Sequence, residues 1–243
     1  MEEPLKIVQL PVLMDNYIYL LHDTPTQKTA VVDAALADPV IDVLKTYGWS
    51  LDYILNTHHH MDHVGANLDL KEKYDCQIIG PKEDADRIPG IDRALSDGDD
   101  FSVGQAKAKV FDVPGHTKGH IAYWFPNQQA LFCGDTLFAL GCGRLFEGTA
   151  EQMHHSLSKL KALPDNTRVY CAHEYTQANG RFALSVDADN QRLVERMKEV
   201  NERRSQNLPT VPSLLGEEKA TNPFLRAATA QELGRIRALK DTF

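Results

Sequence analysis

The chain has 243 residues, 42% hydrophobic and 25% charged, so it can bury a sizeable core and has the composition of a globular protein. Its formal net charge of −8 gives no support to a nucleic-acid partner. No run approaches the roughly 20 apolar residues of a membrane span, so no membrane partner is expected.

The opening MEEPLKIVQLPVL is acidic and lacks a basic region ahead of a long apolar stretch, so it does not read as a secretory signal. Short runs rich in Val, Ile, Tyr and Phe then recur through the first two-thirds: KIVQLPVL, YIYLL, TAVVDA, DYILNTH, CQIIG, AKVFDVPGH, IAYWF, ALFCGDTLF and RVYCAH. Helical stretches separate them. DPVIDVLKTYG carries Val40, Ile41, Val43, Leu44 and Tyr47 at helical spacing, with Asp38 as a cap and Gly48 as a stop. TAEQMHHSLSKLKAL repeats the pattern with Met153, Leu157, Leu160 and Leu163. Alternating strands and helices predict a layered α/β domain.

From about residue 174 the texture changes. RFALSVDADNQRLVERMKEVNERRSQ predicts a long charged helix broken near Asp187 and Asp189. A Pro-punctuated loop, NLPTVPSLLGEEKATNP, follows, and TAQELGRIRALKDTF predicts a last helix. The expected division is a catalytic α/β domain over 1–173 and a helical appendage over 174–243. The cysteines, Cys76, Cys133, Cys142 and Cys171, are irregularly spaced with no C-x-x-C pair, so reduced thiols in a cytoplasmic protein are expected.

The densest chemistry lies in THHHMDH. His58 and His60 are two apart, which in extended chain puts them on one side, with His59 on the other. Asp62 and His63 follow where the chain turns into the next helix. The cluster is hard to read as packing, because ionised carboxylates are rarely buried without partners. Three further strand-like runs each close on a ligand-type residue: VFDVPGH on His116, ALFCGD on Asp135 and RVYCAH on His173. Layered α/β folds gather sites where strands end. Five histidines and two aspartates are too many for one four-coordinate ion. They suit two metals if Asp135 bridges them and a water completes each shell. Nitrogen and oxygen donors without thiolate fit zinc, and also iron or manganese.

THHHMDH, PGHTKGH, CGDTLF and CAHEYT together resemble the metallo-β-lactamase superfamily over roughly residues 5–173. Within it they resemble glyoxalase II (hydroxyacylglutathione hydrolase), a likeness that GCGRLFEGT, NPFLR and RALKD extend to the C-terminus. The resemblance implies an αββα sandwich followed by a small helical domain. It implies His58, His60 and His116 on one divalent metal, Asp62, His63 and His173 on the other, and Asp135 on both. It further implies hydrolysis of S-(2-hydroxyacyl)glutathione thioesters, chiefly S-D-lactoylglutathione, to glutathione and D-lactate, the second step of methylglyoxal detoxification. The nucleophile would be a metal-bridging hydroxide held by those seven residues.

On the remaining histidines, His120 is expected to be structural near the site. His154 and His155 diverge on a helix, and His22 reads as solvated in a loop. Asp33 ends another strand; the resemblance makes it a structural hydrogen-bonder near the site, and a turn or cap role fits its position equally well, while Cys133 and Cys171 are expected to pack in the core. Gly141 and Gly143 suggest a tight loop.

On the substrate side, Arg237 and Lys240 lie three apart on one helix face, which by itself reads as a solvated face. The resemblance instead assigns them to the glycine carboxylate of glutathione, and Tyr175 to a substrate contact. One familiar form of the family has lysine and tyrosine where this chain has Arg144 and Phe146. Arg144 keeps a cation and Phe146 loses a hydroxyl, which bears on glutathione's affinity and pose rather than on the reaction. A lactonase or β-lactamase on the same core has no use for Arg237 and Lys240. A persulfide dioxygenase shares much of the ligand set but uses a single iron. A non-enzymatic zinc scaffold is disfavoured by seven open-site ligands. A monomer is expected.

Overall fold

In a computed structural model the described residues are 4–243, so the first three residues of the N-terminal segment lie outside them. The chain packs as two compact units: one runs to Asp112 and takes in Gly119–Gly134, and the other comprises Val113–Lys118 and Asp135–Phe243.

The first unit holds two sheets. One runs in order β1 (Leu5–Val12), β2 (Asn16–Asp23), β3 (Lys28–Val32), β4 (Tyr53–Leu55), β5 (Gln77–Pro81) and β6 (Arg93–Leu95). β1 to β3 are antiparallel, and β3 to β6 are parallel. The parallel half needs crossovers, which α1 (Ala37–Tyr47) provides between β3 and β4, α3 (Asn67–Tyr74) with the short α2 (Met61–Val64) just before it between β4 and β5, and the 3-10 turn Lys82–Arg87 between β5 and β6. The other sheet contributes the antiparallel strands β7 (Asp100–Val103), β8 (Ala106–Asp112), β9 (Ile121–Phe125) and β10 (Ala130–Gly134).

β2 is buried at every position because both of its faces are covered. On one side Ile18 and Leu20 join Val31, Ile54, Ile78, Val40, Leu44 and Leu70 in a core beneath the helices. On the other, Tyr19 meets Phe132 edge-on at 5.4 Å and Tyr53 meets Phe101 at 5.2 Å, so aromatic side chains pack one sheet on the other. α1 ends on Gly48 as expected, but its N-cap is Leu36; Asp38 sits in the first turn instead.

His22 corrects one expectation. It lies in β2, buried, with Nδ1 2.9 Å from Thr29 Oγ1 and its ring stacked on Trp49 at 4.1 Å. Burial lowers its pKa. Its cover comes from a tryptophan distant in sequence, which local polarity does not reveal.

The second unit has the short pairs β11 (Leu137–Phe138) with β12 (Gly141–Cys142) and β13 (Arg168–Cys171) with β14 (Ser213–Leu214). α4 (Ala150–Lys161) opens with a capping box between Thr149 and Gln152. The predicted long helix is α5 (Thr176–Val186) and α6 (Gln191–Ser205), broken at the expected aspartates, with Asn190 capping α6. The expected Pro-punctuated loop contains more structure: β14, α7 (Leu215–Thr221) and α8 (Pro223–Arg226), the last capped by Asn222. Leu215, Phe224 and Leu225 bury there, and a proline at the first helical position is compatible with a helix start. α9 (Ala230–Asp241) closes the chain, capped by Thr229. No helix among the described residues is long and apolar enough to cross a membrane.

Candidate metal centre

Among the described residues, the side chains able to hold a metal ion are His58, His60, Asp62, His63, His116, Asp135 and His173. They are the seven singled out by sequence, and each unit presents its own share.

In the first unit, β4 ends at Leu55 and the chain enters a buried turn. Asn56 donates to His63 O over 3.0 Å, and Asn67 donates to Asn56 Oδ1 over 2.8 Å, so two side-chain amides fix the loop between them. Thr57 donates its amide and hydroxyl to the two oxygens of Asp33, at 2.8 and 2.7 Å. Asp33 Oδ2 also stands 3.1 Å from His63 Nδ1, so one carboxylate orients both the turn and a ring. His58 Nδ1 lies 3.1 Å from Thr57 Oγ1, which leaves Nε2 facing His60 Nδ1 at 3.1 Å. Asp62 Oδ2 is 3.5 Å from His63 Nε2 and accepts from Asn16 at 2.9 Å. His59 turns away: its Nδ1 is 2.7 Å from Asp84 Oδ2 and its Nε2 is 3.1 Å from Arg87. His120 stacks on His58 with ring centroids 4.6 Å apart.

In the second unit, Asp135 lies between two imidazoles. His116 Nε2 is 3.4 Å from Oδ2, and His173 Nε2 is 3.4 Å from Oδ1. All three side chains are buried. His116 Nδ1 is 2.8 Å from the carbonyl oxygen of Arg144. A carbonyl only accepts, so Nδ1 carries a proton, which leaves Nε2 as the atom turned toward Asp135. The tight loop is real: a Cβ on Gly143 would sit 1.9 Å from Asp135 O, so only glycine fits there. The ring of His173 stacks on Tyr175 at 4.7 Å and 5°.

The donor set fits divalent metal. Two ligand atoms about 2.0–2.1 Å from one tetrahedral ion lie about 3.4 Å apart. The within-unit separations of 3.1, 3.4, 3.4 and 3.5 Å scatter around that value. Imidazoles and carboxylates without thiolate, with His63 backed by a carboxylate and His116 by a carbonyl, belong to open hydrolytic sites rather than closed structural ones.

The second unit also carries every cation and aromatic singled out for substrate. Arg144 is 56% exposed in its side chain and 3.3 Å from Asp241. Phe146 is exposed, its ring 5.2 Å from that of His116. Arg237 departs from a solvated face: it is only 7% exposed and donates to Cys142 O over 2.8 Å. Lys240 Nζ lies over the rings of Phe182 and Phe243 at 5.3 and 5.4 Å. Partial burial, with Arg237 and Arg181 nearby, lowers its pKa.

Residues 13–173 match the profile of the metallo-beta-lactamase superfamily, and residues 174–243 match that of the hydroxyacylglutathione hydrolase C-terminus. A hydroxyacylglutathione hydrolase of Methylococcus capsulatus is 56% identical over 232 residues, which span 96% of this chain and 91% of that protein. The chain belongs to the hydroxyacylglutathione hydrolase (glyoxalase II) family of the metallo-β-lactamase superfamily. Its fold is therefore the α/β metallo-β-lactamase fold with a helical C-terminal region. Among solved structures, ETHE1 of Myxococcus xanthus superposes with a TM-score of 0.76 at 26% identity, covering 96% of this chain and 90% of that one. TTHA1623 in a di-iron-bound form gives 0.65 at 25% identity, covering 90% and 99%.

Sequence reading missed a polar clamp in this family member. Asn222 donates to Phe138 O and Gly141 O at 3.1 and 3.0 Å, and Asn179 donates to Ala139 O at 3.1 Å. Glu218, fully buried and ion-paired with Arg196, accepts from Leu140 N over 2.9 Å. With Arg237 on Cys142, four side chains from α5, α7, α9 and the α8 cap hold the loop that leads to Gly143 and Arg144. Leu140 has φ of +59°, a conformation that such anchoring sustains. The asparagine before Pro223 was the available signal. Burial disfavours the thiolates of Cys76, Cys142 and Cys171, pushing the first two up to about 11 and the third up to about 12.

Proposed function

We propose that this chain hydrolyses S-(2-hydroxyacyl)glutathione thioesters, chiefly S-D-lactoylglutathione, to glutathione and D-lactate. The observation that carries this reading is the 56% identity to a hydroxyacylglutathione hydrolase across nearly the whole of both chains. The seven-residue donor set supports it independently.

In this reading His58, His60 and His116 hold one metal, Asp62, His63 and His173 hold a second, and Asp135 is shared. Zinc is the ion proposed; the donor set also takes iron or manganese. When bound, the pair supplies a water acidic enough to act as a nucleophile near neutral pH and a Lewis acid for the thioester carbonyl. The protein's own part is orientation. Asp33 sets the His63 ring, and the Arg144 carbonyl sets that of His116. The scissile bond is C–S, and the departing sulfur is a good leaving group because a thiol ionises at about 8.5, far below an alcohol. Burial raises the pKa of Cys142 and Cys171, which disfavours their thiolates as competing nucleophiles.

Residues 1–173 then carry the metal ligands, and residues 174–243 supply Tyr175, Arg237 and Lys240 to the substrate. Arg237 and Lys240 grip the glycine carboxylate of glutathione, while Arg144, Phe146 and Tyr175 line the approach. The protein is proposed to act as a cytoplasmic monomer with no nucleic-acid or membrane partner, in line with its negative net charge and four free cysteines.

A substrate panel of glutathione thioesters, simple thioesters, lactones and β-lactams, run with metal analysis, tests the reading. Preference for glutathione thioesters supports it. Equal turnover of simple thioesters, or preference for lactones or β-lactams, contradicts it.

A further inference from the structure

We propose that Asp241 is an internal placeholder for a ligand carboxylate, closing a cradle made by Arg144 and Arg237 until an incoming carboxylate displaces it. The inference rests on the glutathione-thioester reading above. One oxygen, Oδ1, lies 3.1 Å from Arg237 Nε, 3.0 Å from Arg237 Nη2 and 3.3 Å from Arg144 Nε. Three guanidinium nitrogens from two arginines therefore converge on one carboxylate oxygen, which is how arginine forks receive a ligand carboxylate.

Each arginine also has a partner other than Asp241. Arg237 is anchored by Cys142 O at 2.8 Å and by the ring of Phe224, 5.1 Å below the guanidinium. The Arg144 guanidinium lies over the ring of Phe146, 5.9 Å from its centroid. Asp241 is held more weakly. It is the last residue of α9, where the negative end of the helix disfavours a carboxylate, and its side chain is 36% exposed. Ion pairs that exposed add little. Rotation of the Asp241 side chain outward uncovers the Nε–Nη2 edge of Arg237 and Nε of Arg144 together.

Charge decides the direction of the effect. Asp241 offsets part of a cluster in which Arg237 and Arg181 both act on Lys240. Removing the acid leaves the cations in place and unopposed, so an anionic ligand binds more tightly. Asp241 thus acts on substrate binding, as a competitor built into the chain.

The test uses the metal-loaded full-length protein and S-methylglutathione, which carries the glycine carboxylate and no thioester. Calorimetric titration of Asp241→Asn and Asp241→Ala is expected to show at least threefold tighter binding than wild type. Asp241→Glu is expected to stay near wild type. S-methyl-γ-glutamylcysteine, which lacks the glycine, is expected to show no gain. KM for S-D-lactoylglutathione is expected to fall in parallel. Unchanged or weaker binding by both neutral variants overturns the proposal, and so does an equal gain for the ligand without glycine. A wild type that neither binds S-methylglutathione nor hydrolyses S-D-lactoylglutathione overturns the thioester reading itself, and the placeholder falls with it.

Discussion

His116 donates its Nδ1–H to the backbone carbonyl of Arg144 over 2.8 Å, so a proposed metal ligand and a proposed substrate residue are tied through main chain rather than side chain. The tie fixes which imidazole nitrogen is available, and the side chain of Arg144 takes no part in it. Arg144→Ala is therefore expected to keep its metal content and to raise KM for glutathione thioesters about two- to fivefold, the range of an exposed ion pair. Metal analysis beside steady-state kinetics checks this. Loss of metal in the variant would show that the side chain holds the loop.

Asp33 accepts from the Thr57 amide and hydroxyl, and its Oδ2 lies 3.1 Å from His63 Nδ1. Replacing it with asparagine presents an amide NH2 where an acceptor is needed. Asp33→Asn is expected to weaken metal affinity by roughly 10–100-fold, as losses of such supporting partners do. Competition with a chromophoric chelator measures it, and wild-type affinity would remove Asp33 from the site.

Asn222 is fully buried and donates to Phe138 O, Gly141 O and Glu218 Oε2. Asn222→Ala leaves buried acceptors without a donor, a cost of about 1–3 kcal/mol. Thermal unfolding is expected to shift down by about 2–4 °C per kcal/mol for a chain of this size. An unchanged midpoint would mean that the clamp contributes nothing to stability.

Lys240 has its pKa lowered by burial first and by Arg237 and Arg181 second. A lowered lysine is charged at pH values below its shifted pKa and loses its charge as pH rises through it, ahead of the ordinary value of about 10.4. Affinity for S-methylglutathione is expected to decline on the alkaline side below that ordinary value. Lys240→Arg, which stays charged, is expected to lose that component of the decline. Identical pH profiles for the two proteins would exclude Lys240 from the ligand.

The residues of THHHMDH were legible because ligand chemistry leaves a dense local mark, and Asp84 and Arg87 explain why His59 stands apart from its neighbours. The helix break at Asp187 was legible from the polar run that Asn190 caps. What was hidden came from partners far along the chain. His22 looked solvated until Trp49 covered it. Arg237 looked like a solvated cation because its acceptor, Cys142 O, lies in a distant loop. The short helices α7 and α8 were masked by prolines that serve there as helix starts and boundaries. The clamp on residues 138–142 was missed for the same reason, since buried asparagines carry no periodic signal.

Metal-dependent thioester hydrolysis is tested by S-D-lactoylglutathione turnover measured before chelation, after complete chelation, and after titration with zinc. Activity is expected to disappear on metal removal and to return as about two ions per chain are restored, in keeping with a two-metal site. Activity that survives complete removal of metal would contradict it.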